Sequence, residues 1–327
     1  MSVLITGGAG YIGGHTVLAL LDRGEIPIVL DNLSTGYRSA VPSAVPFFVG
    51  DVGDLNLVEH IIKTHKVEAI LHFAAKIVVP ESVADPLGYY LNNTVKTRAL
   101  LEASVRGEVK HFVFSSTAAV YGNPAVIPVS EDSSLAPLSP YGMSKLMSEQ
   151  MLRDTSQAHG LNYIILRYFN VAGADPKQRW GQTTKQATHL VKVALETALG
   201  RRPYMSVFGD DYPTRDGTCV RDYIHVSDLA DAHVVALDHL RLGGGSRTLN
   251  CGYGRGYSVK EVIDAVAMVS GVGFEVRQAS RRAGDPASIV ANCGELMKLG
   301  WKPVLNDLQT IVRHAYLWER TLRRPDN

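Results

Sequence analysis

Tyr141-Gly142-Met143-Ser144-Lys145 sets a phenol and an ammonium four residues apart. In a helix that spacing puts both side chains on one face. A phenol of pKa about 10 is a poor base at neutral pH. A cation about 4 Å away, in an effective dielectric of about 20, favours the phenolate by about 4 kcal/mol before desolvation is subtracted. The pair is therefore predicted to supply a general base and the charge that activates it. Ahead of it lies Ser115-Ser116-Thr117-Ala118-Ala119-Val120-Tyr121-Gly122, a hydroxyl-rich stretch at the end of an apolar run. Thr117 is the candidate to bind a reacting hydroxyl and relay its proton to Tyr141. Ser115 is the candidate to touch a cofactor.

A cofactor site is predicted at the other end of the same half. Thr6-Gly7-Gly8-Ala9-Gly10-Tyr11-Ile12-Gly13 follows one apolar run and opens a helix. Gly7 allows a tight turn, Gly10 leaves room for a pyrophosphate, and Gly13 lets the helix pack on the strand. The helix N-terminus offers free N–H groups and a positive dipole to the phosphates. Asp31 lies 18 residues beyond Gly13, at the end of the second apolar run. It can accept both hydroxyls of an adenosine ribose and would repel a 2′-phosphate, so NAD is expected rather than NADP. Asp51, after the third run, is a candidate for the adenine edge. An oxidised nicotinamide would add positive charge beside the phenol.

The elements that must hold these residues alternate along the first half. Strands are expected at Val3–Thr6, Pro27–Leu30, Phe47–Val49, Ala69–Phe73, Phe112–Ser115 and Tyr163–Tyr168. Helices are expected at Tyr11–Arg23, Leu55–His65, Leu87–Val105 and Tyr141–His159. Apolar strands alternating with helices imply an α/β fold: a doubly wound parallel Rossmann sheet. After about residue 170 the pattern loosens. Helices are expected at Thr188–Leu199, Val226–His239, Val259–Ser270 and Leu308–Arg320, with a short strand at Leu249–Gly254. The division is residues 1–170 for an NAD-binding domain and 171–327 for a smaller C-terminal α/β substrate lobe interleaved with the first.

Composition excludes several classes. The 327 residues carry 33 basic and 32 acidic side chains, a net charge of +1, with no excess to attract nucleic acid or a membrane surface. Cys219, Cys251 and Cys293 form no CxxC pair and read as reduced thiols. No apolar run approaches the ~18 residues of a membrane span, and no signal peptide is visible; a cytoplasmic protein is expected. His60/His65 and His233/His239 do not share helix faces and no HExxH is present, so these histidines are expected at the surface and no metal is predicted.

The motifs TGGAGYIGGHT, LDNLSTG, ILHFAA, ESVADPLGYYLNNT, FVFSSTAAVYG, SPYGMSKLMSEQML, LRYFNVAGA, VFGDDYPTRDGTCVRDYIHVSDLADAHV and RRAGDPA span nearly the whole chain. In these the chain resembles the UDP-glucose 4-epimerases, extended short-chain dehydrogenases/reductases of the NAD-dependent epimerase/dehydratase family. The resemblance implies that Tyr11, Ile12, Asn32, Val52, Phe73, Ala74, Ala75, Asn92 and Tyr168 join Gly7, Gly10, Gly13, Asp31, Asp51, Ser115, Tyr141 and Lys145 around NAD. It implies that Asn170, His189, Leu190, Phe208, Arg221, Tyr223, Arg282 and Asp285 join Thr117 around a UDP-sugar. Arg221 and Arg282 would grip the diphosphate, Phe208 would pack near uracil and Asp285 would accept from the ribose. It further implies a homodimer through the helices at Leu87–Val105 and Tyr141–His159.

The implied reaction interconverts UDP-glucose and UDP-galactose at C4 through a transient 4-keto sugar, with NAD bound throughout. Related dehydratases and decarboxylases carry an acid beside the threonine, where this chain has Ala118 and Ala119. Asp31 weighs against a reductase on exchangeable NADPH, and a non-catalytic NAD sensor has no use for Tyr141, Lys145 and Thr117 together. Three departures from the family pattern stand out. Lys76 sits one place before a lysine that the family carries, with Ile77 in the matching position. His189 replaces an asparagine, and Ile289 replaces a tyrosine beside the sugar. Ile289 is expected to open the sugar pocket, giving activity on UDP-glucose/UDP-galactose, detectable activity on UDP-xylose/UDP-arabinose and weaker activity on N-acetylated sugars.

Overall fold

β1 (Ser2–Thr6) runs into the glycine loop and α1 (Tyr11–Asp22), which ends before Gly24 at φ +79°. β2 (Ile28–Asp31), β3 (Phe47–Val49), α2 (Leu55–His65) and β4 (Val67–His72) follow. This computed structural model describes residues 2–184, 187–282 and 285–322. α3 (Val79–Ala84) and α4 (Pro86–Tyr89) lead through a wide π turn, Tyr90–Val95, into α5 (Lys96–Arg106). The helix expected over Leu87–Val105 is thus not uniform. The Asn93 carbonyl accepts Thr97 Oγ1 at 2.6 Å and Ser148 Oγ at 3.0 Å, and such side-chain insertion opens the helical ladder.

β5 (His111–Thr117) is a run of β-branched, aromatic and hydroxyl residues, buried from Phe112 onward. α6 (Pro140–His159) starts at Ser139, whose Oγ accepts the Gly142 amide at 3.2 Å, and stops at Gly160 with φ +70°. β6 (Asn162–Tyr168) and β7 (Asn170–Ala172) complete the first half. The remaining elements are α7 (Leu190–Ala198), β8 (Met205–Phe208), β9 (Val220–His225), α8 (Val226–Arg241), β10 (Arg247–Cys251), β11 (Gly256–Ser258), α9 (Val259–Ser270), β12 (Val276–Ala279), β13 (Ser288–Ile289), α10 (Gly294–Lys298) and α11 (Leu308–Thr321).

The main sheet has the order β10-β6-β5-β4-β1-β2-β3, and every pairing in it is parallel. It is a Rossmann sheet with a seventh strand. Strand order reverses between β1 and β4, and the carboxyl ends on either side of that point are where such sheets bind ligands. The strand expected at Leu249–Gly254 is this seventh strand, β10. α8 packs with α1 on the same face. Leu4, Ile70, Phe112 and Phe114 anchor one buried cluster, and Val3, Ile5, Leu20 and Val113 the other.

β7, β9, β11 and β13 form a second sheet, and β8 pairs with β12. α7, α9 and α11 cover this lobe through Val191, Leu195, Val262, Val266, Ile311 and Val312. Among the described residues no helix is long and apolar enough to cross a membrane. His233 lies on α8 and is fully buried, contrary to the surface position expected of it. Its Nε2 meets Ser115 Oγ at 2.8 Å and its Nδ1 meets the Leu229 carbonyl at 2.8 Å. The interleaving of α8 with the main sheet puts this histidine inside.

Candidate active site

The glycine loop is shaped by contacts that no side chain could share. A Cβ on Gly13 would lie 2.2 Å from the Gly7 carbonyl oxygen, and one on Gly7 would lie 2.6 Å from the Ala74 amide nitrogen. Gly10, the residue before α1, adds no side-chain cap. The first-turn amides of Tyr11, Ile12 and Gly13 therefore remain available to an anion, as a pyrophosphate requires. Asp31 sits at the end of β2, with its Oδ2 accepting the Ala9 amide at 2.9 Å and its Oδ1 the Leu33 amide at 2.8 Å. Burial pushes this carboxyl up, against those two amides. Each oxygen keeps a lone pair for a ribose hydroxyl. The residues fit an NAD pyrophosphate and ribose.

Asp51 and Asn32 form the outer end of this groove. Burial pushes the Asp51 carboxyl up, but Lys96 at 2.5 Å, the Gly53 amide and Asn32 outweigh it and hold it low. Val52 is buried beside them. Phe73, Ala74 and Ala75 follow β4. The Phe73 amide donates to the Thr6 carbonyl at 2.9 Å and its ring lies 4.6 Å from that of His233. The Lys76 side chain turns away to Glu81 at 3.1 Å, while its amide and carbonyl are tied to the Asn93 side chain, both at 2.9 Å. Asn92, on the π turn, donates to Asn93.

The catalytic candidates meet at the carboxyl end of β5. Tyr141 is buried, and its phenol lies near enough to the Thr117 hydroxyl for that hydroxyl to favour the phenolate. Lys145 Nζ donates to the Ser115 carbonyl at 2.9 Å and lies 4.9 Å from the Phe114 ring centre. Burial pushes the phenol up, with Thr117 opposing, and pushes Lys145 down to about 7, with Glu149 opposing. The expected lowering of the phenol by Lys145 is not what this geometry gives. The ammonium faces a carbonyl and an aromatic ring, and the loss of water dominates both groups. Ser115 is 1% exposed and its hydroxyl is engaged by His233, so what it offers the pair is its carbonyl. Tyr168 pairs with Thr117 in the β5–β6 register, and burial raises its phenol, with the Ser115 hydroxyl opposing.

Several supporting residues escaped the sequence reading. Glu149 continues the Tyr141, Lys145 spacing along α6. It accepts Ser116 Oγ at 2.6 Å, Arg167 at 2.6 and 3.0 Å and Arg153 at 2.7 Å, all but Arg153 buried. This ion pair pins α6 to β5 and β6 beneath the reacting groups. Asn93 joins the Lys76 backbone to Ser144 on α6 at 3.1 Å. The signals were present: an acid four residues after Lys145, and an arginine inside the apolar run Tyr163–Tyr168.

The substrate candidates fall into two groups across the second lobe. Arg282 lies over the Phe208 ring at 3.8 Å, and Arg221 faces Asp285 at 3.6 Å. Asn170, His189, Leu190 and Tyr223 line one cavity together with Gln182. His189 Nδ1 meets Gln182 Nε2 at 2.9 Å, and burial lowers the imidazole. Ile289 is 6% exposed and packs in one cluster with Ala118, Tyr121, Val129, Phe169 and Ala291. It fills a core contact, the placement of a residue that supports a wall.

Residues 3–252 match the NAD dependent epimerase/dehydratase family. With the parallel sheet and the Tyr141, Lys145 and Thr117 constellation, the chain belongs to that family. It is 56% identical to the UDP-glucose 4-epimerase of Azospirillum brasilense over 98% of this chain and 93% of that one. Its backbone is similar to that of Brucella ovis UDP-glucose 4-epimerase in complex with NAD, with a TM-score of 0.94, 44% identity and 97% of each chain covered. It is also similar to Stenotrophomonas maltophila UDP-glucose-4-epimerase with bound NAD and formylated UDP-arabinopyranose, with a TM-score of 0.95, 40% identity and 98% of each chain covered.

Proposed function

We propose that this chain is an NAD-dependent UDP-sugar 4-epimerase that interconverts UDP-glucose and UDP-galactose through a 4-keto sugar. The observation that carries this reading is the buried Tyr141 phenol beside Thr117 at the carboxyl end of β5, with Lys145 held on the Ser115 carbonyl at 2.9 Å, in the same crevice as the glycine loop. NAD, when bound, takes a hydride from C4′ and returns it to the opposite face, and its oxidised ring adds positive charge to the pocket. Thr117 binds the 4′-hydroxyl and Tyr141 takes its proton through that hydroxyl. Lys145 answers the charge that develops on the phenol, held in place by the Ser115 carbonyl. Arg221 and Arg282 hold the diphosphate, Phe208 packs on uracil and Asp285 accepts from the ribose. Anchoring the nucleotide and not the sugar lets the ketose turn over between the two hydride transfers. Ala118 and Ala119 supply no acid, which favours epimerisation over elimination.

The pentose pair UDP-xylose/UDP-arabinose is the second reading, supported by the arabinopyranose nucleotide in the Stenotrophomonas relative. Val83, Leu87, Leu91 and Val95 are 53–77% exposed at four-residue spacing, with Met147 of α6 also exposed. Such a stripe supports a homodimer. Three free buried cysteines fit a cytoplasmic enzyme. Purified protein should retain NAD through gel filtration and, mixed with UDP-glucose, should yield UDP-galactose by proton NMR. Stoichiometric release of NADH on adding substrate would overturn the reading.

A further inference from the structure

The segment from Gly173 to Gln182 grips α1 at both ends. At the first turn, the Tyr11 phenol donates to the Gly173 carbonyl at 2.6 Å, and the Trp180 indole N–H donates to the Gly10 carbonyl at 3.2 Å. At the last turn, Arg179 pairs with Asp22 at 2.7 and 2.9 Å while also holding Asp175 at 2.8 and 2.9 Å. Trp180 is 3% exposed and meets Trp318 of α11 edge-on at 5.7 Å. A Cβ on Gly14 would lie 2.8 Å from Trp180 Nε1, so this helical glycine makes room for the indole. The dinucleotide fingerprint accounts for Gly7, Gly10 and Gly13, but not for Gly14 or Trp180.

We propose that Trp180 is a positioning residue that fixes the Gly10 end of the glycine loop and thereby slows the release of NAD. The inference rests on NAD occupying that loop. Gly10 O also accepts the Gly14 amide at 3.0 Å, so the indole braces the carbonyl that begins the helix. Bracing it holds the peptide plane that carries the Tyr11 amide and, through the helix, those of Ile12 and Gly13. Donors held in place before binding cost less to order, and such differences fall mainly in the dissociation rate. The segment ends at Gln182, whose side chain holds His189 and whose carbonyl accepts Lys192. The brace is therefore anchored in the substrate lobe.

The test is exchange of bound NAD for isotope-labelled NAD in the full-length protein, with thermal stability of each NAD-stripped variant measured alongside. Trp180→Phe keeps a ring and loses the N–H; NAD should exchange three- to tenfold faster, the range for one ordinary hydrogen bond. Trp318→Phe is the control, because its indole N–H has no partner among the described residues; exchange should stay at the wild-type rate. Gly14→Ala should push the indole away and speed exchange likewise, although alanine favours the helix itself. Exchange in both Trp180→Phe and Gly14→Ala within twofold of wild type would overturn the proposal, whatever happens to stability. Wild-type protein that binds no NAD would overturn the reading beneath it.

Discussion

Around the Gly7–Gly13 loop, the groups that would meet a ligand are backbone amides and one carboxylate, Asp31, which is 7% exposed and held by two amides. Across the crevice they are long side chains. Arg282 is exposed and lies over Phe208, and Arg221 faces Asp285 at a loose 3.6 Å. The first region is fixed before anything binds; the second can adjust. The contrast suits a reaction in which one ligand stays through every cycle while the other must enter, turn over and leave. Variants on the fixed side should remove turnover or cofactor, and variants on the adjustable side should weaken substrate binding.

The largest expected effect is at the junction of the two regions. Tyr141→Phe should lower kcat by about 10²–10⁴ and leave UDP affinity within about twofold, because the lost hydroxyl acts on the proton in flight. UDP binding by calorimetry beside the rate separates the two. A variant that keeps more than about a tenth of the rate removes Tyr141 as the base.

Acid stability comes next, and it separates the halves. Burial lowers His15 to about 4 and His233 to about 4, and it drives His72 and His225 to about 3. All four are neutral when folded and titrate near 6.5 when unfolded. The unfolded chain therefore binds more protons between pH 6.5 and about 4, and stability falls as pH drops through that window. Each histidine contributes about 1.4 kcal/mol per pH unit. Asp222, which burial raises to about 6, offsets one of them below that pH. His15, His72 and His233 belong to the main sheet and its helices, so hydrogen exchange at pH 5 should show that layer loosening before the second lobe. A melting temperature flat from pH 6.5 to 4.5 would remove the argument.

On the adjustable side, Arg282→Ala should raise KM for UDP-glucose about tenfold, about 1.4 kcal/mol, with kcat within twofold. A fall in kcat with KM unchanged would place Arg282 in the chemistry.

The same division governs how much could be read in advance. Gly7, Gly10, Gly13, Asp31, Tyr141 and Lys145 were legible because each answers a local backbone or helix-face requirement. β10 and α8 were legible as a strand and a helix but not as parts of the main sheet and its cover, and neither the role of Asn93 nor the burial of His233 could be read, because those places depend on partners far along the chain. His233 meets Ser115 118 residues away. The direction of the Lys145 ammonium was hidden for the same reason: spacing puts it on the Tyr141 face, but only the fold supplies the Ser115 carbonyl. The paired arginines needed the family resemblance, since nothing local separates them from surface residues.

Ile289 should have the smallest effect. From the sequence it stands where a tyrosine would border the sugar, which argued for a roomier pocket. In the fold it lies on β13 opposite Arg221 and packs with Ala118, Tyr121, Phe169 and Ala291. Ala118 adjoins Thr117, and Phe169 adjoins Asn170, so the side chain supports the pocket wall from behind. Trimming it in Ile289→Val should cost about 1 kcal/mol of stability, the usual figure for one buried methyl. The ratio of kcat/KM on UDP-galactose to that on UDP-N-acetylgalactosamine should then move by less than about twofold, about 0.4 kcal/mol. Ile289→Tyr should lose more stability, because a larger ring must enter a filled site. A stable Ile289→Tyr variant whose ratio shifts tenfold would make position 289 a gate, and the adjustable region would then reach one strand deeper than Arg221.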